Sequence, residues 1–265
     1  MFTNARAYEQ FMGRWSRLIA PNLIEFAKLP DGGCSVLDVG CGTGSLAFTV
    51  AKVCNKCDVV GIDASTEYID YAISRNNLRN VHFKVCDAAN LAFPNATFDV
   101  CLSLLALNFI PNAQAAVEEM GRVTKRGGQV LAAVWDYGGR MEMLRIFWTA
   151  AATLDGAARE LDEKKMPLCK EGELAQLWKS AGLYDIHEQA LEVVMHFRSF
   201  LNFWEPFLLG QGPAGMYVRQ LGKVRSCALR KEIKRHIGTE DEKSSFTLIG
   251  RAWAVRGNVP DSSIK

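Results

Sequence analysis

Val36-Leu37-Asp38-Val39-Gly40-Cys41-Gly42-Thr43-Gly44 decides the fold. Cys34 to Val39 is a short apolar run of the kind that forms a buried parallel strand. Glycines then stand at 40, 42 and 44, and Leu46, Val50 and Val53 follow on one helical face. The stretch therefore reads strand, tight turn, helix. Glycine lets the chain turn sharply and lets the backbone approach a ligand with no Cβ in the way. The free N–H groups at the start of the helix favour a negative group.

The same alternation runs outward in both directions. Residues 1–33 read as amphipathic helix, with Phe11, Trp15, Leu18 and Ile19 at helical spacing, and Asp31-Gly32-Gly33 marks the turn before the first strand. Downstream strands are expected at Asp58–Ile62, Val81–Cys86, Phe98–Leu104 and Gln129–Trp135. One intervening helix is capped by Ser65 or Thr66 and carries Ile69, Ala72 and Ile73. Another spans Ala113–Val123 and is closed by Gly127-Gly128. Strands separated by helix-length segments mean βαβ units, hence a parallel sheet with right-handed crossovers. After Trp135 the rhythm changes. Leu144, Phe147, Trp148 and Ala151 form a helical stripe, and a charged loop runs to Pro167. Leu174, Leu177, Trp178 and Ala181 form a second stripe ending at Gly182. A sixth strand is read at Tyr184–Val194 and a last one at Ser245–Val255. Residues 197–243 between them are helical, broken at Gly210–Gly215.

Three acids sit where this arrangement needs them. Asp38 lies inside the first strand. Asp63, followed by Ala64, ends the second strand about 20 residues past the glycines, where a carboxylate accepts hydrogen bonds from ribose hydroxyls. Asp87 ends the third strand, where it can accept from an adenine amino group while the Ala88 N–H reaches a ring nitrogen. The glycine spacing separates two ligands. A dinucleotide site of the G-x-G-x-x-G type needs glycine at position 45, and Ser45 stands there. Glycines at 40, 42 and 44 after an in-strand Asp38 favour S-adenosylmethionine (SAM).

The run resembles class I SAM-dependent methyltransferases, in particular the type 11 group similar to ubiquinone and menaquinone biosynthesis enzymes. FPNATFDVCLSLLALNFIPN (Phe93–Asn112) is similar to that group's fourth-strand region and RVTKRGGQVLAAVWD (Arg122–Asp136) to its fifth. GRWSR (Gly13–Arg17) is similar to an opening found in bacterial members. One departure is visible: Lys125-Arg126-Gly127-Gly128 stands where members carry K-P-G-G. The specific match covers Val36 to Asp136, and the remainder matches in layout.

The resemblance implies a Rossmann-like α/β three-layer sandwich. Its sheet is mostly parallel and seven-stranded with the last strand antiparallel, and it carries helical cap insertions. It implies SAM as cofactor, held by Asp38, Gly40, Cys41, Gly42, Gly44, Asp63, Ala64, Asp87, Ala88 and Leu104. Asp38 would lie beneath the methionine amino group, and Leu104 and Leu105 would offer backbone contacts. Residues 1–33 become a helical segment covering the cofactor site, 34–136 the cofactor-binding core, and 137–183 a helical insertion. Residues 184–256 carry the last two strands with a cap at 195–243, and 257–265 form a flexible tail. Segments 137–170 and 195–243 leave from the ligand-binding edge and are expected to roof the substrate site.

The totals exclude several classes. The chain has 265 residues, 49% of them hydrophobic, enough for one full core with a cap. A net charge of +2 argues for no extended basic or acidic tail. No signal-peptide layout and no membrane-length apolar run is present, so the eight cysteines are expected to be reduced cytosolic thiols. Cys54-x-x-Cys57 has no second ligand pair, so no metal is assigned.

Other residues divide between sharp and bland readings. Phe200, Phe203, Trp204 and Phe207 are read as packing before a ring-binding pocket, whereas Trp135 and Tyr137 are expected to point at substrate. His196 follows the sixth strand and is read as structural before general base. Arg14 and Arg17 stay open between reaching the cofactor carboxylate and being surface charges. The basic run Arg219, Lys223, Arg225, Arg230, Lys231, Lys234 and Arg235 reads as a solvated helix face. No (N/D)-P-P-(Y/F) element follows the fourth strand, which reads Ser103-Leu104-Leu105-Ala106-Leu107-Asn108, and no paired-glutamate loop is found. With these absences, and with a roof rich in aromatic and apolar residues, a small, partly apolar methyl acceptor is expected before a nucleic acid. No catalytic base is assigned, because transfer from a sulfonium needs mainly alignment. The alternatives are an RNA-directed methyltransferase, a SAM-binding protein without catalysis, and, behind these, an NAD-dependent oxidoreductase. Oligomeric state is not encoded in any motif.

Overall fold

The computed structural model describes residues 4–239 and 241–261. It opens with α1 (Ala5–Tyr8), which Asn4 caps by accepting from the Ala7 N–H at 2.8 Å. A π-helical turn at Glu9–Gly13 leads into α2 (Arg14–Ala27). Then come β1 (Ser35–Val39), α3 (Ser45–Val53), β2 (Asp58–Asp63), α4 (Thr66–Arg75), β3 (Val81–Val85) and β4 (Phe98–Leu104). The chain continues with α5 (Ala113–Val123), β5 (Thr124–Trp135), α6 (Glu142–Leu154) and α7 (Glu173–Ser180). It ends with β6 (Tyr184–Phe197), α8 (Phe200–Leu208), α9 (Gly212–Gln220), α10 (Lys223–Ile237) and β7 (Phe246–Asn258).

The seven strands form one sheet in the order β3-β2-β1-β4-β5-β7-β6. The β1 pairs with β2 and β4, the β2–β3 pair and the β4–β5 pair are all parallel. β7 runs antiparallel to β5, from Gln129 opposite Asn258 to Trp135 opposite Ala252. The parallel part is what the alternation predicts, and the seven-stranded Rossmann-like sheet with its antiparallel last strand is what the resemblance implies. Strand order reverses on either side of β1, and in open α/β sheets such a switch point opens a ligand crevice at the carboxyl ends of the strands.

The chain divides into two compact units. The larger comprises Trp15–Trp135, Pro167–Leu191 and Ala252–Lys265. Its middle strands are buried on both faces: Val36, Leu37 and Val39 in β1, Val100 to Leu102 in β4 and Val130 to Val134 in β5. That is why they read as continuous apolar runs and not as alternation. Trp178 of α7 is fully buried, and its indole N–H donates to the Val130 carbonyl at 2.9 Å. The Arg122 guanidinium donates to the carbonyls of Leu91 and Phe93 and to Asn95 Oδ1, pinning the loop before β4.

The smaller unit comprises Met1–Arg14, Asp136–Met166 and Glu192–Arg251. Its core is aromatic. Phe147 stacks on Phe207 with centroids 4.7 Å apart, Phe11 meets Phe207 edge-on at 5.0 Å, and Phe197 stacks on Phe246 at 5.1 Å. Asp136 accepts from the Gly139 and Arg140 N–H groups and from the Arg251 guanidinium, closing the turn before α6.

Some expectations are corrected. Leu18, Val53 and Ile73 fit the apolar spacing of their helices but are exposed, each lying at the edge of its buried stripe. Gly127 and Gly128 do not close α5, which ends at Val123; they sit within β5, which begins at Thr124 and shifts register against β4 between Phe98 and Val100. Gly127 has φ +71, which suits an irregular strand. β6 continues past Val194 to Phe197, and β7 runs on to Asn258. The tail expected from 257 is still paired at Val259, which bonds both Gly127 and Gly128. The expected tail beyond Asp261 lies outside the described residues. The charged loop before Pro167 holds two 3-10 turns, Gly156–Glu160 and Glu163–Lys165. The break at Gly210–Gly215 shrinks to Leu209–Gln211, because α9 already starts at Gly212 with proline in its first turn.

Candidate functional site

The site grows from the turn between β1 and α3. Gly40, Gly42 and Gly44 all have positive φ, +71, +53 and +86. They need glycine for different reasons. A Cβ at Gly40 would stand 2.4 Å from Ala106 Cβ, and one at Gly44 would stand 2.7 Å from the Phe48 ring. A Cβ at Gly42 would meet only the Tyr68 ring, at 4.0 Å. Space is therefore open beside Gly42, and a side chain there would fill it. Cys41 donates its N–H to the Ile62 carbonyl at 2.8 Å, which binds the turn to β2.

Two carboxylates fix this turn. Asp63 Oδ2 accepts the Gly42 N–H at 3.0 Å, and its Oδ1 accepts the Ser65 N–H at 2.8 Å. Burial raises its pKa, and the two backbone bonds oppose that rise. Asp38 is fully buried; its Oδ2 accepts the Ala47 N–H at 3.0 Å, and its Oδ1 has no partner. Burial pushes its pKa up to about 7, with the Asp63 charge adding and the Ala47 N–H opposing. A buried acceptor without a donor is costly. It marks the place where a ligand cation or N–H would fit. Cys41 is buried beside both acids, and burial, then the Asp38 and Asp63 charges, raise its thiol pKa.

The neighbouring strands bring the remaining residues to the same edge. Asp63 pairs with Val85, and Cys86 donates its N–H to the Asp63 carbonyl, so Asp87 and Ala88 follow immediately beyond. Asp87 is exposed and its Oδ1 accepts the Ala89 N–H at 2.9 Å, an Asx turn. Ala64 is exposed and Ala88 half-buried. Asp38 pairs with Leu102, placing Leu104 two residues further along β4. Leu105 then takes φ +62 and donates its N–H to the Ala133 carbonyl at 2.7 Å. Every residue assigned from sequence thus lies at the carboxyl end of β1, β2, β3 or β4, or in the turn that follows. Two residues were missed: the hydroxyls of Ser45 and Ser103 are buried without partners. Ser103 carried a signal, a polar side chain inside the apolar run of β4. Ser45 carried none beyond not being glycine.

The remaining candidates differ in their surroundings. Trp135, expected to point at substrate, ends β5 at the same edge and is buried with its indole N–H unpartnered, and Tyr137, two residues on, is buried too. His196 does not follow the sixth strand; it lies inside β6 and is exposed. Arg14 donates to Asn202 Oδ1 and to the Asn202 carbonyl and lies over the Phe197 ring; burial lowers its pKa to about 10. Arg17 is exposed. Arg230 and Lys234 both hold Glu242, and Arg235 holds Glu232, so three of the seven members of the basic run are ion-paired within the chain. Phe200, Phe203, Trp204 and Phe207 are buried in the aromatic core, the packing reading. Among the described residues no cluster of three or more His, Cys, Asp or Glu is placed to hold a metal ion. Among them, too, no helix is long and apolar enough to cross a membrane.

The sequence model of the methyltransferase domain matches residues 30–192. The chain belongs to the class I SAM-dependent methyltransferases. This methyltransferase chain is 31% identical over 116 residues to the rice (Oryza sativa subsp. japonica) chloroplastic 2-methyl-6-phytyl-1,4-hydroquinone methyltransferase 1, covering 44% of the chain and 35% of that protein. It is 31% identical over 99 residues to the fatty-acid O-methyltransferase of Mycolicibacterium smegmatis, covering 37% and 36%. The match thus spans a little over a third of each of these two relatives' length. In fold, the methyltransferase is similar to the YcgJ protein of Bacillus subtilis, with TM-score 0.59, 18% identity, and 94% of this chain and 100% of that chain covered. It is also similar to Haemonchus contortus phosphoethanolamine N-methyltransferase 2 in complex with SAM, with TM-score 0.61, 18% identity, and 97% and 57% covered.

Proposed function

We propose that this chain binds SAM at the carboxyl ends of β1 to β4 and transfers its methyl group to a small, partly apolar acceptor. The observation that carries the reading is Asp38, a fully buried carboxylate with one oxygen unpartnered, on the strand that leads into a glycine turn open at Gly42. The residues fit the cofactor. Asp38 would hold the methionine ammonium, Asp63 would accept from the ribose hydroxyls, and Asp87 and the Ala88 N–H would meet the adenine edge. Gly40, Cys41, Gly42 and Gly44 would give the backbone approach, and Ala64 and Leu104 would line the site on either side. When bound, SAM supplies an electrophilic methyl on a sulfonium, with a neutral thioether as leaving group.

The chain's own part is binding and alignment. Asp38 fixes one end of the ligand by charge, Asp63 fixes the middle, and the turn leaves room between them. Alignment of this kind removes much of the entropic cost of a bimolecular displacement. A general base is needed only where the accepting atom must lose a proton, and none is assigned. The acceptor class is supported by two relatives, a hydroquinone methyltransferase and a fatty-acid O-methyltransferase, and by the lack of a nucleic-acid aminomethylation element after β4. The test is transfer of label from methyl-labelled SAM to panels of hydroquinones, fatty acids and total RNA. Labelling of an apolar small molecule, lost in Asp38→Ala, supports the reading. Labelling of RNA alone would replace it with the RNA-directed alternative. Cofactor binding with no transfer to any panel would favour a SAM-binding protein without catalysis.

A further inference from the structure

Three cysteines cluster at the opposite ends of the strands, away from the glycine turn. Cys34 Sγ lies 3.0 Å from Cys57 Sγ, both buried. The parallel register explains the meeting. Ser35 stands opposite Asp58, and the Asp58 N–H donates to the Cys34 carbonyl at 3.0 Å, so the two cysteines precede a paired position on adjacent strands. Adjacent strands lie about 4.8 Å apart, inside the roughly 4.4–6.8 Å Cα separation that a disulfide accepts. Cys57 is pinned by the Asn80 amide on its carbonyl and by its own N–H on the Cys54 carbonyl. Closure thus asks for side-chain rotation and little backbone movement.

We propose that Cys34 and Cys57 are the site of a disulfide formed by a peroxide oxidant, closing the β1–α3–β2 loop that carries the glycine turn. The chemistry balances. The Cys34 sulfur attacks one peroxide oxygen, the O–O bond breaks, and hydroxide leaves to take up a thiol proton as water. The Cys57 sulfur then attacks the Cys34 sulfenic acid, forming S–S and breaking S–O, and a second water leaves. Two thiols lose two electrons and hydrogen peroxide gains them. Burial raises both thiol pKa values, so the reaction is slow at neutral pH and speeds up as pH rises. A 24-residue loop closed in the unfolded chain raises the melting temperature by about 5 °C. Cys54, half-buried in the same turn, is the competing partner.

The folded chain is treated with hydrogen peroxide at pH 7 and pH 9, its thiols are blocked, and peptides are mapped without reduction. The expected result is a linked peptide joining Cys34 to Cys57, formed several-fold faster at pH 9. Its melting temperature rises and returns on adding dithiothreitol. The link persists in Cys54→Ser and is absent in Cys57→Ser. Recovery of Cys34 and Cys57 as blocked thiols while exposed Cys227 is oxidised would overturn the proposal. So would a Cys54–Cys57 link in place of the expected one. Neither readout depends on the cofactor reading.

Discussion

Asp38 makes opposing demands on stability and binding. Its folded pKa, about 7, stands above the unfolded value of 3.8, so the unfolded chain releases its proton first. Stability contributed at this site is full below about pH 4 and is lost as pH rises through about 7. Asp38→Asn therefore stabilises the ligand-free protein at pH 8 by on the order of 1–3 kcal/mol. It leaves stability nearly unchanged at pH 4, and thermal melts at the two pH values check this. The same substitution removes the partner for a cationic ligand, so S-adenosylhomocysteine binding weakens at least about tenfold. In the unsubstituted protein that binding weakens about tenfold between pH 8 and pH 6, because protonation neutralises Asp38. A binding profile flat across this range would remove Asp38 from the ligand contacts. Gly42→Val tests the open space beside the turn: it forces a branched side chain into φ +53 at a cost of about 1–2 kcal/mol and blocks binding outright.

At the scale of elements, the positions of β1 to β5 and their intervening helices were legible because buried parallel strands and amphipathic helices leave distinct periods. β4 and α5 were read to their ends. Misreadings cluster where the period is silent. Gly127-Gly128 looked like a helix stop, but α5 had already ended at Val123, and the glycines take up a register shift inside β5. β6 and β7 were cut short: period-2 burial runs on through Met195-His196-Phe197 in β6, and Arg256, Gly257 and Asn258 extend β7 opposite Leu131, Val130 and Gln129, a pairing that the local sequence does not announce. The candidate acids could be placed from sequence because Asp38 lies within β1, Asp63 ends β2 and Asp87 follows β3 by two residues. Ser45 and Ser103 were not, since a lone serine has no spacing to betray it. The Arg122 bracket gives a prediction at this scale. Arg122→Ala frees the carbonyls of Leu91 and Phe93, and hydrogen exchange across residues 91–96 rises with little change in α5. Unchanged exchange there would show that the loop is held by something else.

For the whole molecule, the smaller unit gathers Asp136–Met166 and Glu192–Arg251, close to the segments 137–170 and 195–243 that the sequence set apart from the core, and adds the start of the chain, which no period in the sequence ties to them. The aromatic core of the smaller unit sets its stability. Phe147→Ala removes a fully buried ring that stacks on Phe207 and costs about 3–5 kcal/mol, read as a drop in denaturant midpoint. The proposed cofactor site draws on residues of the larger unit, and a ligand bound there is expected to stabilise it by about 2.7 kcal/mol at a hundredfold excess over Kd. The central claim is that the Gly40–Gly44 turn, Asp38 and Asp63 form a site for SAM and not for a dinucleotide. The direct test is calorimetric titration with SAM, S-adenosylhomocysteine and NAD, repeated on Asp63→Ala and Gly42→Val. The account predicts that both adenosyl compounds bind, that NAD does not, and that both substitutions abolish binding while the fold persists. Absence of adenosyl binding in well-folded protein, or NAD binding in its place, would contradict it.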